Sequence, residues 1–190
     1  MNEQVWDYHF HESFSKTEKI DGQVHLMAAP VDEHIDVQGN LNRIFNNYFI
    51  QNKKRCRARN DAKMDIDENT YVKPDVQVIC REKGDTDIPV IVIEVLSKST
   101  YERDLGVKMD KYAKLGIKEY WIIRWEYMKI DIYLLSDDKK YELFKSYTLC
   151  VMEDDDDLDE RGLKKLETEF SPVAFPELVI KLEDVFDMFE

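Results

Sequence analysis

The chain has 190 residues, 43% hydrophobic and 12% aromatic, which is enough for one sizeable core and fits a single domain spanning residues 1–190. Charged residues make up 35% and sum to a net charge of −13, which excludes binding to nucleic acid through the overall field. No run of about eighteen apolar residues exists, so a spanning helix is excluded and no membrane partner is expected.

Residues 1–11 lack the basic start and apolar run of a signal peptide, so a cytoplasmic location is expected. Cys56, Cys80 and Cys150 are odd in number, far apart and without a CxxC pair. They read as buried free thiols, not as a zinc site or a disulfide framework.

The first firm signal is 20–27, where the turn pair Asp21-Gly22 sits between apolar flanks and predicts a short hairpin closed by Pro30. Val37, Leu41, Ile44, Phe45, Tyr48 and Phe49 then recur at helical period and predict a helix from Asp32, its N-cap, to Gln51. Five of the seven residues 53–59 are basic. In a strand, Arg55, Arg57 and Arg59 would share one face. They would contact phosphate or, the favoured reading, protect a solvated edge strand with charge.

Strands are expected over 71–80 and 89–96, joined by a loop at 81–88. The second is almost continuously apolar, as a strand covered on both faces would be. Ser99 and Glu102 form a capping box for a helix over 100–115, with Leu105, Met109 and Tyr112 as its apolar stripe and Gly116 as its stop. A buried strand at 119–123 follows, then a hairpin of 129–135 with 141–144. The acidic run 153–160 lacks the glycine and ligand spacing of a calcium loop and reads as a mobile, solvated loop. Residues 175–189 return to apolar character as a strand or short helix that docks on the core.

Glu94 is the most informative residue, because it interrupts that apolar strand. A buried carboxylate is expensive unless a lysine, an arginine or a metal ion meets it. Asp75 follows Pro74 in the preceding strand. If the two strands are antiparallel neighbours, the carboxylates sit side by side and need a cation between them. Oxygen ligands with open positions suit magnesium, or manganese in its place, which would polarise a phosphoryl oxygen and help generate hydroxide. Lys108 lies on the next helix, four residues after Asp104 and on the same face. Its ammonium is expected to assist the attacking water or the transition-state charge, with Asp104 orienting it. His34, near the start of the first helix, is a candidate accessory group beside phosphate or metal-bound water, or a structural histidine. Asp61 is a weaker candidate of the same kind.

The pattern Lys73-Pro74-Asp75, then Glu94-Val95-Leu96-Ser97-Lys98-Ser99-Thr100, then Asp104, Lys108, Tyr112 and the run 116–122, resembles the Uma family of bacterial restriction endonucleases in the PD-(D/E)XK nuclease superfamily. The resemblance extends to Asp21-Gly22, Met27, Pro30 and His34 upstream and to 178–184 downstream. It implies an α/β fold with a restriction-endonuclease-like core, a central mixed β-sheet flanked by helices. It implies Asp75 and Glu94 as the acidic pair holding Mg2+ or Mn2+, with the Val95 carbonyl as a third ligand. The parent motif carries its lysine two residues after the acid, where this chain has Leu96; Lys108 is the implied substitute. Arg124-Trp125 stands where relatives carry Asp-Pro, and Lys98 stands where a proline is usual. Lys98 joins Arg55, Arg57 and Arg59 as a candidate phosphate contact.

The expected function is metal-dependent endonucleolytic hydrolysis of nucleic acid, DNA above all, by a monomer or a homodimer. The alternatives are a catalytically inactive nucleic-acid-binding or regulatory module of the same fold, and a structural protein in which Glu94 pairs permanently with Lys108.

Overall fold

The computed structural model describes residues 17–27, 29–81, 87–97, 100–150 and 167–188. Strand β1 (Thr17–Ile20) and strand β2 (Gln23–Leu26) form the expected hairpin, turned by Asp21 and Gly22 at φ 50° and 83°. Helix α1 runs Asp32–Gln51, with Val37, Leu41, Phe45 and Phe49 buried along one stripe. Its cap is Val31 and makes no side-chain bond, so Asp32 is the first helical residue and not the N-cap.

The basic run places β3 (Cys56–Asn60) at the edge of a sheet; Arg55 precedes the strand. Cys56 and Ala58 face the core, while Arg55, Arg57 and Arg59 are exposed. Residues 71–80 are not one strand. They divide into β5 (Thr70–Val72) and β6 (Val76–Cys80), which belong to different sheets. Pro74 has no N–H for a ladder and marks the break. A strand absent from the sequence reading, β4 (Met64–Asp67), pairs with β5.

The main sheet continues with β7 (Ile91–Val95), β8 (Glu119–Arg124), β9 (Lys129–Leu135) and β10 (Tyr141–Thr148). Its order is β10-β9-β8-β7-β6-β3, with β7 and β8 parallel and the other pairs antiparallel. This is the mixed central sheet. The smaller sheet has the order β2-β1-β5-β4.

A parallel pair needs a crossover, and here it is helical. It is a broken helix, α2 (Tyr101–Asp104) and α3 (Val107–Leu115), where the sequence predicts one continuous element. The break falls at Gly106, where a Cβ would stand 2.7 Å from the Glu102 carbonyl oxygen. Gly116 ends α3 in the left-handed region at φ 84°, as its position predicts. The cap of α2 is Thr100; the Ser99 capping box, Lys98 and the acidic run at 153–160 lie outside the described residues. Strands β11 (Glu169–Phe170) and β12 (Ile180–Lys181) pair, and a short α4 (Leu182–Val185) follows.

The period of two sorts the central strands onto two faces. Ile91, Ile93 and Val95 join Trp121, Ile123 and the α1 stripe on one face. Val92 and Leu96 join Tyr120, Ile122, Tyr112 of α3 and the small sheet's Ile20, Met64 and Val72 on the other. Glu94 belongs to this second face.

The cysteine reading needs correction. Cys56 and Cys80 are joined in a disulfide, and Cys150 is free among the described residues. The cause is register: β3 and β6 set the two residues directly opposite, with Cα atoms 4.0 Å apart. Spacing along the chain carries no trace of that pairing. No helix among the described residues is long and apolar enough to cross a membrane.

Candidate active site

The antiparallel pairing of β6 with β7 brings Asp75 beside Glu94. The Asp75 backbone N–H donates to Glu94 Oε2 at 3.3 Å, and the Val95 N–H donates to Asp75 Oδ2 at 2.7 Å. Both carboxylates are almost fully buried, Asp75 at 4% exposure and Glu94 at 2%. They nevertheless line a pocket of about 520 Å³ at the end of the sheet. Its rim carries Met27, Pro30, Val31 and Trp125; His34 and Asp104 also face it.

Helix α1 holds Asp75 from one side. His34 Nε2 lies 3.1 Å from Asp75 Oδ1, and the Gln38 amide donates to the same oxygen at 2.8 Å. His34 and Gln38 are one helical turn apart, so one face delivers both. The Gln38 amide also reaches Asp61 Oδ1 at 3.4 Å. Asp61 is itself exposed and is not a lining residue of the pocket.

Helix α3 holds Glu94 from the other side. The Lys108 ammonium stands 2.8 Å from Glu94 Oε1, and the Tyr112 hydroxyl donates to that oxygen at 2.6 Å. Lys108 also pairs with Asp104 at 2.9 Å and with Glu18 of β1 at 3.1 Å. The i,i+4 pair of Asp104 and Lys108 thus survives the break at Gly106. Lys108 is 1% exposed and is not a lining residue of the pocket, although Glu94 and Asp104 are.

The electrostatics follow from this crowding. Burial pushes the Glu94 carboxyl well above the ordinary carboxylate range; Lys108 opposes the shift, and the Asp104, Asp75 and Glu18 charges add to it. Burial likewise raises Asp104, with Lys108 opposing. Burial works against the Lys108 charge, but Glu94, Asp104 and Glu18 together overcome it and hold the ammonium protonated well above its usual range. Three carboxylates, Glu18, Glu94 and Asp104, meet one ammonium, and Asp75 adds a fourth beside Glu94, so the cluster is short of positive charge.

That shortage leaves room for one more positive charge beside Asp75 and Glu94. Asp75 and Glu94 offer hard oxygen donors, the kind magnesium and manganese take. Because the Val95 N–H points at Asp75, its carbonyl projects to the same strand edge. Among the described residues no three His, Cys, Asp or Glu side chains already converge at metal-ligand distance, so most positions would fall to water and substrate.

The structure brings together Asp75, Glu94, Val95, Asp104, Lys108 and His34. It does not bring Arg55, Arg57 or Arg59 to the pocket; they lie along or just before the edge strand β3. Lys98 is outside the described residues. Sequence reasoning missed three groups. Gln38 and Tyr112 were legible as the i,i+4 neighbours of His34 and Lys108. Glu18 was not legible: a glutamate in a strand of four residues has no apolar frame to make it conspicuous.

These features describe an α/β domain of nuclease-like fold. The structure resembles a crystal structure described as "a putative nuclease belonging to DUF820" from Anabaena variabilis, with a TM-score of 0.64 and 17% identity over 90% of this chain and 89% of that one. The family model of Uma2, "Putative restriction endonuclease", matches residues 6–180, and the chain belongs to this family. It is also 32% identical, over 131 residues, to the uncharacterized protein slr1290 of Synechocystis sp., covering 65% of this chain and 68% of that protein.

Proposed function

We propose that this chain is a magnesium-dependent endonuclease that hydrolyses nucleic-acid phosphodiester bonds, with DNA as substrate. The observation that carries the reading is the Asp75–Glu94 pair: two buried carboxylates on adjacent strands, opening into a pocket and under-neutralised by one lysine. Family membership and fold support it.

Asp75, Glu94 and the Val95 carbonyl would hold the ion. Bound there, Mg2+ or Mn2+ would polarise a phosphoryl oxygen and lower the pKa of a water ligand. His34 and Gln38 keep Asp75 in one orientation, so little reorganisation remains at the moment of reaction. Lys108 and Tyr112 do the same for Glu94, and Asp104 steadies Lys108. The chain's acidity must be overcome locally. Arg103 and Arg124 line a groove of about 830 Å³ that shares Ser97 and Glu126 with the pocket; Arg124 is already paired with Asp131, so a phosphate would be met by these side chains alongside the partners they hold. A duplex cut on both strands would favour two copies of the chain over one.

The test is a nicking and cleavage assay on plasmid and single-stranded DNA with magnesium, manganese or chelator. Wild type is compared with Asp75→Ala and Glu94→Ala. Cleavage that needs the ion and both carboxylates is expected. Equal cleavage by all three proteins would discard the assignment, and metal-independent binding without cleavage would point to a module that has lost turnover.

A further inference from the structure

We infer that the chain supplies its own second cation: Lys108 occupies a carboxylate cage, made by Glu18, Glu94 and Asp104, that would otherwise be a second metal position, and Glu18 is thereby a positioning residue for Glu94. The inference deepens the reading above, yet its test needs no cleavage.

The geometry is that of an ammonium cage, wider than the shell a metal ion would draw around itself. Three carboxylates from three elements, β1, β7 and the end of α2, converge on one atom at 3.1, 2.8 and 2.9 Å. An ammonium has three protons to give, and here three carboxylates surround a lysine side chain that is 1% exposed, although Asp104 Oδ1 makes no hydrogen bond of good geometry among the described residues. Glu18 is fully buried; its Oε1 accepts from Lys108 and from the Lys73 backbone N–H at 2.9 Å. Its Oε2 is buried with no hydrogen-bond partner among the described residues. An acceptor left unpaired inside a protein is costly and calls for a cation.

Glu94 is shared between the two positions. Its Oε1 faces Lys108, while its Oε2 faces the Asp75 backbone. A carboxylate bridging two cations is the arrangement of two-metal phosphodiesterases, whose ions stand about 3.5–4 Å apart. Here one of the two is covalently part of the chain. Spacings of 2.8–3.1 Å suit an ammonium and are too long for magnesium, which sits about 2.0–2.1 Å from oxygen. Calcium, at about 2.3–2.6 Å and tolerant of irregular geometry, asks for less contraction. The wild-type chain should therefore take one divalent ion at most, and the chain without Lys108 should accept one more, with calcium ahead of magnesium.

The experiment measures calcium and magnesium bound per full-length chain by equilibrium dialysis with elemental analysis. It compares wild type, Lys108→Ala and the double variant Lys108→Ala with Glu18→Gln. One further equivalent of calcium in Lys108→Ala, lost again in the double variant, is the expected result. A wild type that binds two ions overturns the inference, as does a folded Lys108→Ala that binds no more calcium than wild type. Should wild type bind none while Lys108→Ala gains one, the cage stands and the magnesium reading falls. If Lys108→Ala is unfolded in chelator, calcium is titrated and circular dichroism followed. Ion-driven folding that the double variant lacks supports the cage; no recovery at any calcium concentration overturns it.

Discussion

Two buried glutamates sit on neighbouring strands of the same sheet and do opposite things. Glu94 on β7 and Glu119 on β8 are exposed to 2% and 1%. Each is set among apolar residues of the main sheet. Among the described residues Glu119 is met by neutral donors alone: the Trp121 indole N–H at 2.8 Å and the backbone N–H groups of Val173 and Ala174 at 3.2 and 3.0 Å. It ties the segment before β12 to the sheet and lines neither of the two pockets described above. Glu94 is met by an ammonium, a phenol and three like-charged neighbours, and it opens into a pocket. A carboxylate in an oily strand is therefore no sign of a metal by itself. What distinguishes Glu94 is that its partners leave charge uncompensated, whereas those of Glu119 solvate it with dipoles.

Activity should separate Glu94 from Glu119 most widely. Removing the Glu94 carboxylate should cost cleavage at least about 10²-fold, the order lost when one group that stabilises developing charge is deleted. Glu119→Gln keeps an oxygen for the same donors and should leave cleavage within a small factor of wild type. Initial rates at saturating magnesium measure both. A Glu119→Gln as inactive as Glu94→Ala would erase the distinction.

Stability separates the two next. Lys108→Met leaves three carboxylates facing a methyl group, and such one-sided removal from a buried ion pair costs about 3–5 kcal/mol. Adding Glu94→Gln removes one of those charges, so the double variant should be more stable than the sum of the singles implies. Urea unfolding of the four proteins gives the coupling, and strict additivity would mean that the 2.8 Å contact carries no net interaction. Glu119→Ala strands neutral donors instead, which costs about 1–3 kcal/mol. Magnesium should move the melting temperature of wild type but contribute nothing that depends on Glu119.

Much of this was legible in the sequence, for identifiable reasons. The helix of α1, the Asp21-Gly22 hairpin, the stop at Gly116 and the central strands follow from period and turn chemistry, which are local. The proximity of Asp75 and Glu94 rested on one assumption, an antiparallel pair, which β6 and β7 meet. What failed was non-local. Lys73-Pro74 reads as the interior of a strand until a second sheet claims β5. Cys56 and Cys80 read as isolated until register sets them opposite. Glu18 carries no signal of its own in the sequence, and its role appears only where the α3 lysine packs over it. Lys108 is expected beside the attacking water because its spacing from Asp104 fixes a helix face that can turn toward Glu94. Spacing on one helix cannot say that a third carboxylate waits on another sheet.

The smallest expected effect is the pH dependence of stability, and it separates the glutamates by degree. Burial raises both carboxyls above the ordinary glutamate value of 4.5, Glu94 well above it and Glu119 less, because the Ala174 N–H, the Trp121 indole and the Val173 N–H pull the latter back. A carboxyl raised in the folded state favours folding while it is protonated. That contribution is fully present below the unfolded value and is lost as pH rises through the folded one. In metal-free buffer, then, wild-type stability should carry a component that declines with rising pH from about 4.5 upward. Glu94→Gln should remove most of that component, and Glu119→Gln a smaller part. Saturating magnesium should flatten what belongs to Glu94, since a cation that favours the carboxylate reverses the preference for the proton, and leave the Glu119 share untouched. Melting curves across pH, with and without the ion, measure it. An unchanged slope in Glu94→Gln would mean that its surroundings solvate that charge as fully as the three donors solvate Glu119.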